Sequence, residues 1–84
     1  MSALQIEAKV SIVDGTYVAI MDSIHAVTQA DNPRELAYNV IEAAQLATDR
    51  DDVEVTWELD GLVIHVAART PSQPTITVSR IETP

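Results

Sequence analysis

Thirteen Asp and Glu residues, five Lys and Arg and two histidines are the groups in this 84-residue chain whose chemistry could be more than structural. Carboxylates close together can hold a cation or share a proton, and histidine is the usual general base near neutral pH. Asp49, Asp51 and Asp52 come nearest to a cation loop. The run DRDDVE, however, has neither the glycine nor the terminal glutamate at calcium-loop spacing. Its ordinary reading is a solvated helix end. His25 stands near Asp22, and His65 sits in an apolar run. Neither has a second ligand at metal spacing, and neither comes with a nucleophile and an orienting group. They read as a loop histidine and a strand histidine on the less buried face. The sequence thus predicts no catalytic residue, no metal ligand and no cofactor.

Composition narrows the partners. The net charge of −8 repels phosphate backbones and anionic membrane surfaces, so neither nucleic acid nor membrane is expected as a partner. The absence of cysteine excludes disulfides, zinc thiolates and thiol catalysis. Gly15 and Gly61 are the only glycines, so there is no glycine-rich phosphate loop. Tyr17, Tyr38 and Trp57 do not interleave with basic residues and form no base-stacking platform. Trp57, on an alternating stretch, reads as core. No apolar run reaches the ~18–20 residues that span a bilayer, and the N-terminal residues do not read as a secretory signal. A cytoplasmic location is expected.

The elements that must position these groups are legible along the chain. Leu4, Ile6, Ala8, Val10 and Ile12 alternate with polar residues, the period of a half-buried strand. Asp14-Gly15 supplies a two-residue hairpin turn, because both of its central positions need positive φ. Residues 16–21 (TYVAIM) return, and residues 26–29 (AVTQ) read as a short third strand. Asn32 then caps a helix, with Pro33 at its first position and Glu35 at the capping-box position. The helix is expected from Pro33 to about Thr48, ~24 Å at ~1.5 Å per residue. Leu36, Ala37, Val40, Ile41, Ala43, Ala44 and Ala47 collect on one face, and Tyr38, Glu42, Gln45 and Asp49 on the other. Residues 49–52 end it. Residues 53–59 form a strand, Asp60-Gly61 turns the chain, and residues 62–68 return. This returning strand is apolar on both faces, which suggests a central strand or one whose second face meets something. Thr70-Pro71-Ser72-Gln73-Pro74 reads as a loop, and residues 75–81 as the last strand. The fold class is α+β, ordered β-β-β-α-β-β-β, an antiparallel-rich sheet with one helix on one face, in a single domain over residues 1–84.

One helix, ~10–12 Å wide with its side chains, shelters two or three strands spaced ~4.8 Å apart. Six strands exceed that cover. Either the sheet curls or a second copy completes the core, and a homodimer or larger assembly is expected.

Residues 4–48 resemble the HicB-like antitoxin domain. The resemblance is carried by Asp14-Gly15-Thr16-Tyr17-Val18-Ala19, by Val27-Thr28-Gln29-Ala30-Asp31 and by Asn32-Pro33-Arg34-Glu35-Leu36-Ala37, in the family's order and spacing. It departs at Met21-Asp22-Ser23-Ile24-His25, which lacks the prolines and glycine common there. It departs again over residues 53–81, which are strand-like where family members carry a DNA-binding segment; DNA binding is therefore not carried over. The resemblance implies a partial ribonuclease H-like fold, self-association, and binding of a small basic RNA-cleaving toxin.

Two functions follow. The first is a non-catalytic protein-binding module that neutralises or regulates a basic partner. The second is a stand-alone homo-oligomeric structural or regulatory domain without a toxin. For the first, Glu35, Glu42 and Asp49 recur every seven residues as one acidic stripe. Tyr38 is beside it, either as a lone exposed tyrosine or as an anchor. Glu54 and Glu58 add charge on the fourth strand. An ordinary solvated helix face is the plain alternative.

Overall fold

The computed structural model describes residues 3–68 and 74–80. Seven strands and one helix follow the expected order: β1 (Leu4–Glu7), β2 (Lys9–Val13), β3 (Thr16–Met21), β4 (Ala26–Ala30), α1 (Pro33–Thr48), β5 (Val53–Leu59), β6 (Leu62–Ala67) and β7 (Thr75–Arg80). The α+β class stands, with its strands in two sheets. The expected loop at Thr70-Pro71-Ser72-Gln73-Pro74 lies outside the described residues apart from Pro74, as does Ile81 at the end of the last strand.

The first expected strand is two. Its alternation runs unbroken through Ala8, but the pairing changes partner there. β1 pairs parallel with β5 (Leu4 opposite Val53, Ile6 opposite Val55), whereas β2 pairs antiparallel with β3. Ala8 is buried and its N–H donates to the Thr56 carbonyl at 2.9 Å, so the chain leaves one ladder as it enters the next. The sheets, ordered β1-β5-β6-β7 and β2-β3-β4, are thus joined through one segment. Period-two patterning reports which face is buried and cannot report which neighbour takes the hydrogen bonds.

Both hairpins follow from their Asp-Gly turns. Asp14 and Gly15 have φ of 51° and 81°, and Asp60 and Gly61 have 53° and 79°. Positive φ at both central positions is the primed-turn geometry that matches strand twist. The register is then fixed: Val13 faces Thr16, and Leu59 faces Leu62. Between β3 and β4 a single 3₁₀ turn, Asp22–Ile24, ends on His25 in the left-handed conformation.

Helix α1 starts and stops where expected. It packs its buried Leu36, Ala37, Val40, Ile41 and Ala44 against β3, β4, β5 and β6. Small residues at 37 and 44 let it sit close to the strands. The core beneath it is Ile6, Met21, Val53, Val55, Trp57 and Val66. Trp57 is buried, as expected of a core residue. Ala47, placed on the buried face by spacing, is exposed. β6 lies between β5 and β7 and is thus a central strand of its sheet.

Candidate functional site

The outer face of α1 is held at both ends. At its start Asn32 is extended (φ −148°, ψ 163°), and its side-chain oxygen accepts the Glu35 N–H at 2.8 Å. The Asn32 amide in turn donates to the Glu35 carboxylate at 3.4 Å. The carboxylate also lies where the helix dipole favours negative charge. Glu35 is therefore partly committed to the cap. At the other end Asp49 takes a left-handed conformation (φ 55°, ψ 38°) and closes the helix. Gln45 donates to the Asp51 carbonyl at 3.1 Å, and Thr48 to the Ala44 carbonyl at 2.7 Å. Asn39 reaches sideways and donates to the Gln29 carbonyl of β4 at 2.9 Å.

Between these anchors the stripe remains in solvent. Glu35, Glu42 and Asp49 are exposed, and Tyr38 is half-buried one turn after the cap. Asp49 belongs to the stripe by position but has left the helical backbone. Sequence spacing missed Leu46. It is 78% exposed, the most exposed large apolar residue described, and is adjacent to both Glu42 and Asp49. Its signal was present in the sequence, since Leu46 follows Glu42 by one turn, on the polar side of the buried row. It shares a shallow depression of about 410 Å³ with Glu42, Gln45, Asp49, Arg50 and Asp51. Among the described residues neither Glu42 nor Asp49 meets a cation.

Arg50 beside this depression is taken up locally. Its guanidinium holds both oxygens of Asp52, each at 2.8 Å. This two-pronged hydrogen bond lowers the Asp52 carboxyl below the ordinary carboxylate range, and Arg50 is raised by the same contact. The acidic run 49–52 is therefore a helix terminus with one internal ion pair, and among the described residues no cluster of three potential ligands could hold a metal.

The acids on β5 divide. Glu54 Oε1 and His65 Nε2 lie 2.7 Å apart across β5 and β6, while Glu58 is exposed. The hairpin register placed Thr56 opposite His65, so Glu54 is its diagonal neighbour on the same face. The Asp60-Gly61 turn already implied that diagonal. The pair sits on an open sheet face, with side chains 39% and 27% exposed. His25, the other histidine, is exposed, and its N–H donates to the Asp22 carbonyl at 3.2 Å.

A wider depression, about 690 Å³, opens where the chain changes sheets at Ala8. Glu7, Lys9 and Glu58 line it beside Thr56 and Val63, a mixed-charge surface without histidine. Among the described residues no helix is long and apolar enough to cross a membrane. No family model, curated protein or solved structure matches the chain.

Proposed function

We propose that this chain is a non-catalytic protein-binding module, similar to a HicB-like antitoxin, that neutralises or regulates a small basic protein through the outer face of α1. The observation that carries the reading is Leu46, 78% exposed and flanked by Glu42 and Asp49 on a helix fixed at both ends. An exposed apolar side chain supplies contact area at the centre of a patch. The surrounding carboxylates steer a cationic partner toward it. A helix already capped and packed loses little further freedom on binding, which favours affinity. The net charge of −8 extends the same attraction over the whole molecule.

The test is a search of the neighbouring reading frames for one that encodes a small basic protein, co-expression of the tagged chain with that protein, and isolation at low and high salt. A complex that forms at low salt, weakens at high salt and is lost with Leu46→Lys supports the proposal. No complex, or one indifferent to salt and to Leu46→Lys, contradicts it.

A second reading, a self-associating structural or regulatory domain, is favoured by a different observation. Large apolar residues of the strands lie uncovered: Val27 on β4 is 66% exposed, Val78 on β7 56% and Ile76 39%.

A further inference from the structure

We propose that two copies of this chain pair through β7, antiparallel about a twofold axis at Thr77, joining their four-stranded sheets into one continuous sheet. The proposal rests on the self-association reading and supplies its interface.

The edges of the fold are not treated alike. β4 ends the three-stranded sheet with α1 packed on it, and Asn39 of the helix donates to its Gln29 carbonyl. β1, at the far side of the other sheet, is four residues long and ends on Glu7. Among the described residues nothing protects β7 in this way. It is a terminal strand of six residues, all exposed, without proline or acid, and its single charge is Arg80 at its end. Folded proteins ordinarily blunt such an edge with charge, proline or a covering element.

Register follows from symmetry. A twofold axis normal to the sheet keeps each face of β7 on the same side in both copies. Paired residues must then share parity, so the axis passes through a residue. Centring on Thr77 places Ile76 opposite Val78 of the second copy, and Val78 opposite its Ile76. Thr75 faces Ser79 on the other side. Apolar meets apolar on one face and hydroxyl meets hydroxyl on the other. Centring one residue later would set Ile76 against Arg80.

The apolar pairs have somewhere to go. Ile76 and Val78 edge an apolar groove of about 190 Å³ whose floor includes Trp57, Ile64 and Leu36. β6 holds them there, with Ile64 opposite Val78 and Val66 opposite Ile76. A second copy would cover the open side of that groove.

Charge permits the contact here more readily than elsewhere. Residues 61–81 contain no Asp or Glu and include Arg69 and Arg80, whereas the rest of the chain carries all thirteen acids. Two molecules of charge −8 repel least where acids are missing. Area also allows it. The chain exposes 5714 Å², against about 4900 Å² for a compact monomer of its mass. The difference is a surplus over that compact value. It is of the order of the ~800 Å² that each partner gives to a standard interface.

The absence of cysteine makes a register test clean. Opposed residues in an antiparallel pair lie ~4.5–5.5 Å apart between Cα atoms, within disulfide reach, whereas a four-residue offset adds ~13 Å. Thr77→Cys alone should give a covalent dimer on mild oxidation. Thr75→Cys and Ser79→Cys should each fail alone and crosslink when mixed. Light scattering at micromolar concentration should give twice 9.1 kDa for the unmodified chain. Thr77→Lys, which sets two ammonium groups opposite each other, should give 9.1 kDa with unchanged circular dichroism. A monomeric unmodified chain would overturn the self-association reading and this interface together. A dimer that survives Thr77→Lys and does not crosslink through Thr77→Cys would overturn the interface alone, and would direct attention to the outer face of β2–β4.

Discussion

Asn32 shows what one side chain contributes here. Its oxygen satisfies the Glu35 N–H, one of the donors that a helix start leaves without an intrahelical partner. Asn32→Ala should cost ~0.5–2 kcal/mol, typically about 1, read as a lower thermal midpoint. An unchanged midpoint would mean that the cap is not limiting. Asp52 gives a pH-dependent counterpart. The hydrogen bond from Arg50 lowers its carboxyl in the folded chain, so the folded value lies beneath the unfolded one. The pair therefore stabilises the fold above the unfolded carboxylate value and ceases to do so as pH falls through the folded value. Asp52→Asn should be slightly less stable than the parent at neutral pH, with the difference closing in acid. Melting curves at the two pH values check the sign, and a difference that grows in acid would contradict it. The effect is small because the pair is open to water.

At the scale of elements, local chemistry decides most of the fold. The Asp-Gly turns, the Asn32-Pro33 helix start and the period of each segment were readable, because each rests on backbone preferences that act over a few residues. What was not readable is relational. The alternation from Leu4 to Ile12 is the same whether the strand has one partner or two, so the switch at Ala8 left no mark. The acidic stripe could be written from spacing, but the exposure of Leu46 and Ala47 depends on tertiary packing that spacing does not carry. The pairing of Glu54 with His65 was implicit in the second hairpin. Gly61→Ala tests that turn in isolation. Nothing lies within 4 Å of an added Cβ, so the cost arises from φ of +79° alone. A loss of ~1–2 kcal/mol is expected from thermal melts. Leu36→Ala tests the packing of the helix on the strands. Leu36 is 1% exposed, and its truncation should cost ~2–5 kcal/mol, a large part of what a domain this size possesses.

For the whole molecule, charge and cover are the governing terms. One helix leaves Val27, Ile76 and Val78 in water, while the carboxylates concentrate outside residues 61–81. The two proposals place attraction to a cationic partner and self-association on different surfaces, the face of α1 and the edge of β7, so a single molecule could engage both. The same charge should prevent association with random-sequence duplex DNA at low salt, where such attraction is strongest. A titration that shows micromolar binding would contradict it.

The central claim is that the outer face of α1 captures a basic protein, and the rate of capture tests it most directly. For a small basic protein captured by co-expression, association with the chain is measured at two ionic strengths, for the parent and for Glu42→Lys/Asp49→Lys. Both positions are exposed, and among the described residues neither meets a cation, so the double variant should fold as the parent does. Screening acts within ~8–10 Å at ordinary salt, so the parent rate should fall steeply as salt rises. The variant should associate roughly 10-fold or more slowly at low salt, with a flatter dependence. Equal rates and equal salt slopes would show that the face of α1 is not where the partner binds.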